Sequence, residues 1–161
     1  MDVSHFWQLI EESRENAGGD IGEQAAELTD LLAELPPEEI LAFDRQFRVL
    51  MAEAYRWDLW GAAYVINGGC SDDAFEYFRG WLIAQGERVY REALADPESL
   101  VDRAEPDVDG ESMLYAAADA YQVETGQEPP LSVSDPAEPA GEPWEEDDLP
   151  RRFPKLWAAF P

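Results

Sequence analysis

"WDLWGAAYVINGGCSDDAFEYFRGWLI", residues Trp57 to Ile83, is the stretch on which the reading of the chain turns. From Leu59 to Ile66 nearly every residue is apolar and several are small, the pattern of a helix buried on most sides. Asn67, Gly68 and Gly69 close it, because glycine enters the left-handed conformation of a helix end without steric cost. Ser71 then offers a hydroxyl to cap a second helix, and Asp72 and Asp73 set carboxylates where the helix dipole favours them. Phe75, Phe78 and Leu82 form the inner stripe of that helix, and Trp81 widens it. Two helices joined by a Gly-Gly turn are therefore expected at the centre of the fold.

The flanking sequence repeats the helical period. Asp2 or Ser4 can cap a first helix carrying Phe6, Leu9 and Ile10, with Gly18 and Gly19 as its stop. Asp20 caps a second, in which Ile21, Ala25, Leu28, Leu32 and Leu35 form one stripe before Pro36. Pro37 suits the first turn of a third, whose apolar residues run from Ile40 to Tyr55 and on into Trp57. Gly86 ends the central helix or lets a neighbour cross closely before Val89, Tyr90 and Ala93 continue. Asp96 and Pro97 open a short helical turn through Val101, and Asp109 or Ser112 caps a last long helix stopped by Gly126. The expectation is an all-α fold, one compact domain of about five to seven helices over residues 1–126. From 127 to 150 prolines recur and every charge is negative, which reads as an acidic, Pro-rich linker. Residues 151–161 restore basic and aromatic character, and a tail with Phe153, Leu156, Trp157 and Phe160 is expected to dock on the body. The alternative is a linear motif offered to a partner.

Thirty-six acidic against eleven basic residues leave a net charge of -25 over 161 residues. Such a field repels phosphate backbones and anionic lipid, so neither nucleic acid nor membrane is an expected partner. A single cysteine forms no internal disulfide, the first residues lack the pattern of a secretory signal, and no apolar run reaches membrane length. A cytoplasmic location is the expectation.

The central stretch, together with "FWQLIEESR" near the start and "ADPESL" after it, resembles the DUF4240 family of bacterial proteins. The residues that carry the likeness are Trp57, Trp60, Gly68 to Asp73, Phe75, Phe78, Arg79, Trp81 and Gly86, within a match over Met1 to Val101. The resemblance supports the fold and its boundaries, and it brings no reaction, cofactor or partner.

Chemistry in the centre has a structural and a functional reading. Arg79 falls about 40° from Phe75 and about 60° from Leu82 on a helical wheel, at the edge of the apolar stripe. A cation there needs an acid, and Asp72 or Asp58 is the expected partner in an ion pair that locks two helices. The functional alternative is a guanidinium lining an anion pocket, with Ser71 as a further donor. Asp58, Asp72 and Asp73 could gather a hard divalent cation, although they lack calcium-loop spacing and capping accounts for two of them. Cys70 before a helix start could be an activated nucleophile, but a small buried residue in a tight turn is the simpler reading. Trp7, Trp57, Trp60 and Trp81 could cage a cationic ligand, against the commoner role of core residues whose indoles meet a carbonyl or carboxylate. One histidine and one cysteine leave no zinc site, and no nucleotide or nucleophile motif is present, so neither metal nor cofactor is expected.

Two functions remain. The first is a protein-interaction or accessory module without catalysis, its partner basic by charge complementarity. The second is an enzyme or small-ligand binder with a pocket at Asp58, Cys70, Asp72, Asp73 and Arg79. An acidic inhibitor that imitates DNA is a third, motivated by charge alone.

Overall fold

The computed structural model describes residues 1–130 and 135–161; residues 131–134, inside the segment read as a linker, lie outside the described residues. The fold is all-helical: α1 (Val3–Ala17), α2 (Ile21–Ala33), α3 (Pro37–Glu53), α4 (Trp57–Asn67), α5 (Asp72–Ala84), α6 (Glu87–Ala95), α7 (Ala116–Thr125), α8 (Leu149–Arg152) and α9 (Pro154–Ala159). Short 3₁₀ turns at Pro97–Asp102, Glu111–Tyr115 and Glu146–Asp148 complete it. No described helix is long and apolar enough to cross a membrane.

The helix ends follow local chemistry. The side chains of Asp2, Asp20 and Ser71 accept from the backbone N–H groups of His5, Glu23 and Ala74, as N-caps do. Gly18, Gly68 and Gly126 close α1, α4 and α7 in the left-handed conformation, where a side chain would be strained.

The described helices outnumber the expected about five to seven, and the surplus has tertiary causes. The apolar run from Ile40 to Ile66 is broken without glycine or proline. At Arg56 the backbone is extended, with φ -132° and ψ 144°, and an isolated parallel bridge pairs this residue with Ala140. The expected last long helix begins instead as the 3₁₀ turn at Glu111–Tyr115. Just before it, Gly110 lies so close to α5 that a Cβ there would collide with the backbone nitrogen of Trp81. The third cause is the C-terminal segment, where α8 and α9 each start with a proline in the first turn. Leu149, Phe153 and Leu156 are buried, whereas Trp157 is 45% exposed.

α5 is the hub, touching α1, α2, α3, α4, α6 and the turn at Glu111–Tyr115. Its Phe75, Phe78 and Leu82 are wholly buried, with Phe6 and Ile10 of α1 and Phe43 of α3 in the same core. One buried polar side chain ties three helices together: Gln24 of α2 donates to the carbonyl of Ala84 at 2.9 Å and reaches toward Ile10 and Ser13 of α1.

Candidate functional site

Arg79 leaves α5 and runs between two aromatic rings, its guanidinium carbon 4.6 Å from the centre of Tyr55 and 4.9 Å from that of Phe75. It is 1% exposed. Nη1 donates to the carbonyl of Met51 at 2.7 Å, Nε to that of Phe75 at 3.4 Å, and Nη2 to the carboxylate of Asp135 at 2.9 Å. Met51 lies in the last turn of α3, where carbonyls lack helical partners and the dipole favours a cation. The Tyr90 hydroxyl donates to the neighbouring carbonyl of Leu50 at 2.7 Å. Together Arg79 and Tyr90 finish the C-terminus of α3 inside the core.

The acid on Arg79 is therefore neither Asp72 nor Asp58. Asp72 accepts instead from the Tyr55 hydroxyl at 2.9 Å. Burial first, and then this hydrogen bond, raise the Tyr55 phenol above its ordinary value. Asp58 turns back on the N–H of Leu59 at 2.7 Å. Helical spacing marks only neighbours within a few turns, whereas Asp135 arrives from 56 residues away.

The tryptophans separate into distinct places. Trp57, Trp60 and Phe75 make a continuous stack, with centroids 5.3 and 5.2 Å apart and planes within 10° and 9°. Trp60 donates its indole N–H to the carbonyl of Cys70 at 2.9 Å, pinning the Gly-Gly turn. Trp81 packs on Phe78, and Trp7 on Phe6 and Tyr90. The buried indole N–H of Trp7 has no partner among the described residues. Trp144, which no helical period singles out, sets its ring edge against Trp57 and Trp60 and donates to the carbonyl of Trp57 at 2.7 Å.

Cys70 is 9% exposed, and desolvation raises its thiol from 9.0 to about 11 despite the nearby Arg79 charge. That is the opposite of nucleophile activation. Ser71 is occupied as the cap of α5. Asp73 is exposed beside it, and no cluster of three or more metal-binding side chains occurs among the described residues.

An open cleft does reach Asp58. It has a volume of about 430 Å³ and is lined by Arg56, Asp58, Ala140, Gly141, Glu142 and Arg152. Arg79 is absent from its walls. The residues singled out in the central stretch are thus divided, Asp58 at the rim of a cleft and Arg79 in a closed centre.

A second polar region covers the opposite face of α5. Tyr77 is raised above its ordinary value by Glu111 foremost, then by burial and by Asp73, Glu76 and Asp109. The Tyr115 hydroxyl donates to Glu111 at 3.1 Å. None of these four carboxylates has an ion-pair partner among the described residues.

The model of a family described as proteins of unknown function, DUF4240, matches residues 1–123. The chain belongs to the DUF4240 family. Comparison with curated proteins and with solved structures yields no match. The DUF4240 match reaches beyond the Val101 limit of the sequence resemblance to include most of α7. It holds Arg79, the Trp57 and Trp60 stack and the acidic face around Tyr77. Asp135, Trp144 and Arg152 lie outside it.

Proposed function

We propose that this DUF4240 protein is a non-catalytic protein-interaction module, and that it meets a basic partner through the acidic face formed by α5 and the turn at Glu111–Tyr115. The observation that carries the reading is the placement of Asp73 and Glu76 on α5 beside Asp109 and Glu111, on the stretch that the Gly110 N–H ties to the carbonyl of Tyr77 at 2.9 Å, with no ion-pair partner for any of the four among the described residues. Negative charge gathered on an aromatic surface attracts lysine or arginine twice, through the carboxylates and through the ring faces. Imitation of DNA is the special case in which the partner is itself a nucleic-acid-binding protein.

The test is binding of a labelled Arg/Lys-rich peptide to wild type and to Glu76→Gln/Glu111→Gln at low and high salt. Wild type should bind, salt should weaken the complex, and the double variant, its melt unchanged, should lose at least about tenfold in affinity. Equal binding by both proteins would mean that net charge alone attracts the peptide, and the assigned face would fall.

A second reading, a small-ligand binder, is favoured by the cleft at Asp58, whose volume is that of a ligand site. Two arginines and two carboxylates on its walls suit a zwitterion. An amino acid that raises the melting temperature of wild type but not of Arg152→Ala would place the ligand there. No shift across a panel of amino acids would set this reading aside.

A further inference from the structure

The segment from Asp135 to Asp148 lies outside the DUF4240 match, yet it completes the matched domain at three points. Asp135 supplies the carboxylate on buried Arg79. Ala140 pairs through both of its backbone groups with the extended link between α3 and α4. Its N–H donates to the carbonyl of Tyr55 at 2.9 Å, and its carbonyl accepts from the N–H of Trp57 at 2.9 Å. Trp144 then closes edge-on over the Trp57 and Trp60 stack. The floor at this point is Gly61, where a Cβ would lie 3.0 Å from the Trp144 indole nitrogen and 2.7 Å from the ring of Phe153.

Between its anchors the segment stays on the surface. From Pro136 to Pro143 every residue but Pro139 is exposed. Arg56 and Arg152 line the cleft beside Ala140, Gly141 and Glu142, so with Arg79 three of the eleven basic residues of a strongly acidic chain border one acidic segment. Main-chain pairing sets the register, spaced side-chain anchors supply the selection, and proline lowers the entropy lost on binding. That is how extended peptides are read.

We propose that the face made by Arg79, the link at Tyr55–Trp57 and the Trp57 and Trp60 stack is a peptide-binding groove. Its ligand is an acidic, proline-containing peptide with a carboxylate, a small residue and an indole at the spacing of Asp135, Ala140 and Trp144. Residues 135–148 are a copy of that ligand carried in the same chain. Tethering gives this copy an effective concentration on the order of millimolar, so a free peptide competes poorly until the tethered anchors are lost. The proposal is independent of the acidic face of α5.

Two measurements test it. Hydrogen exchange on the wild-type protein compares the Ala140 and Trp57 amides, which pair strap to groove, with buried amides of α5. A bound strap should open locally and exchange at least about 100-fold faster than the α5 core, whereas equal protection would make it an integral part of the fold and overturn the proposal. A labelled synthetic peptide of residues 135–148 is then titrated into wild type and into full-length Asp135→Asn/Trp144→Ala. The variant should bind at least about tenfold more tightly than wild type, because its groove is open. A variant that keeps its helical circular dichroism and cooperative melt without gaining affinity would overturn the proposal as well. If the variant does not fold, the exchange measurement decides.

Discussion

The two sides of α5 treat charge in opposite ways. Arg79 is buried between rings, and each of its nitrogens has a partner within 3.4 Å. Tyr77, two residues earlier and about 200° away around the helix, lies in the field of four carboxylates that have no ion-pair partner among the described residues. A charge inside a core is tolerated only when it is hydrogen-bonded, so Arg79 is committed to joining α5 to the C-terminal end of α3, and its remaining nitrogen takes the carboxylate of Asp135. Charge at the surface is hydrated, costs little and stays available to a partner. One helix thus carries a framework side and, in the function proposed above, a recognition side, and polarity alone does not tell them apart.

Substitution on the framework side should give the largest effect. Arg79→Met leaves the carbonyl of Met51 without its donor, while the partly exposed carboxylate of Asp135 is free to hydrate, and should cost about 2–3 kcal/mol in urea unfolding. A loss below about 1 kcal/mol would remove the distinction between the two sides. Gly80→Ala, on the same helix, would put a Cβ 2.9 Å from the carbonyl oxygen of Gly110, a backbone atom that cannot swing away. It should destabilise by about 1–3 kcal/mol. A neutral result would show that the turn at Glu111–Tyr115 is loosely held.

A pH titration sharpens the contrast without mutation. The folded state holds the Cys70 proton up to about 11, against 9.0 when the thiol is unperturbed, and burial pushes the Tyr90 hydroxyl up as well. Between these values the unfolded chain has released protons that the folded chain still binds. Stability is therefore full below pH 9 and falls as pH rises toward 11, by on the order of 1 kcal/mol per pH unit for the thiol. Urea unfolding across that range checks the sign, and a Cys70→Ala chain should lose that part of the slope. At pH 8 the native thiol should react with an alkylating reagent roughly 100-fold more slowly than the denatured one.

The smallest effect belongs to the acidic side. Glu76→Gln and Glu111→Gln should each change stability by less than about 0.5 kcal/mol. Glu111→Gln should also bring the Tyr77 phenol back toward its ordinary value, as read from its ultraviolet titration. A large loss of stability in either variant would give this face a structural role.

Much of this protein was legible in one dimension. The caps at Asp2, Asp20 and Ser71, the stops at Gly18, Gly68 and Gly126, and the stripe through Phe75, Phe78 and Leu82 each depend on residues within a turn or two of one another. Such signals survive in sequence because helix propagation and capping are local. The partner of Arg79, the break at Arg56 and the role of Trp144 were not legible, and all three depend on the extended segment around Asp135–Trp144. Its composition of prolines and acids resembles that of a solvated linker, and no period marks Asp135 or Trp144 as anchors. By itself the sequence determined an all-helical domain centred on Trp57 to Ile83 with a strongly acidic surface. Tertiary structure alone decided which acid meets Arg79 and what covers the tryptophan stack, because a buried cation and an exposed aromatic face select their partners by proximity in space.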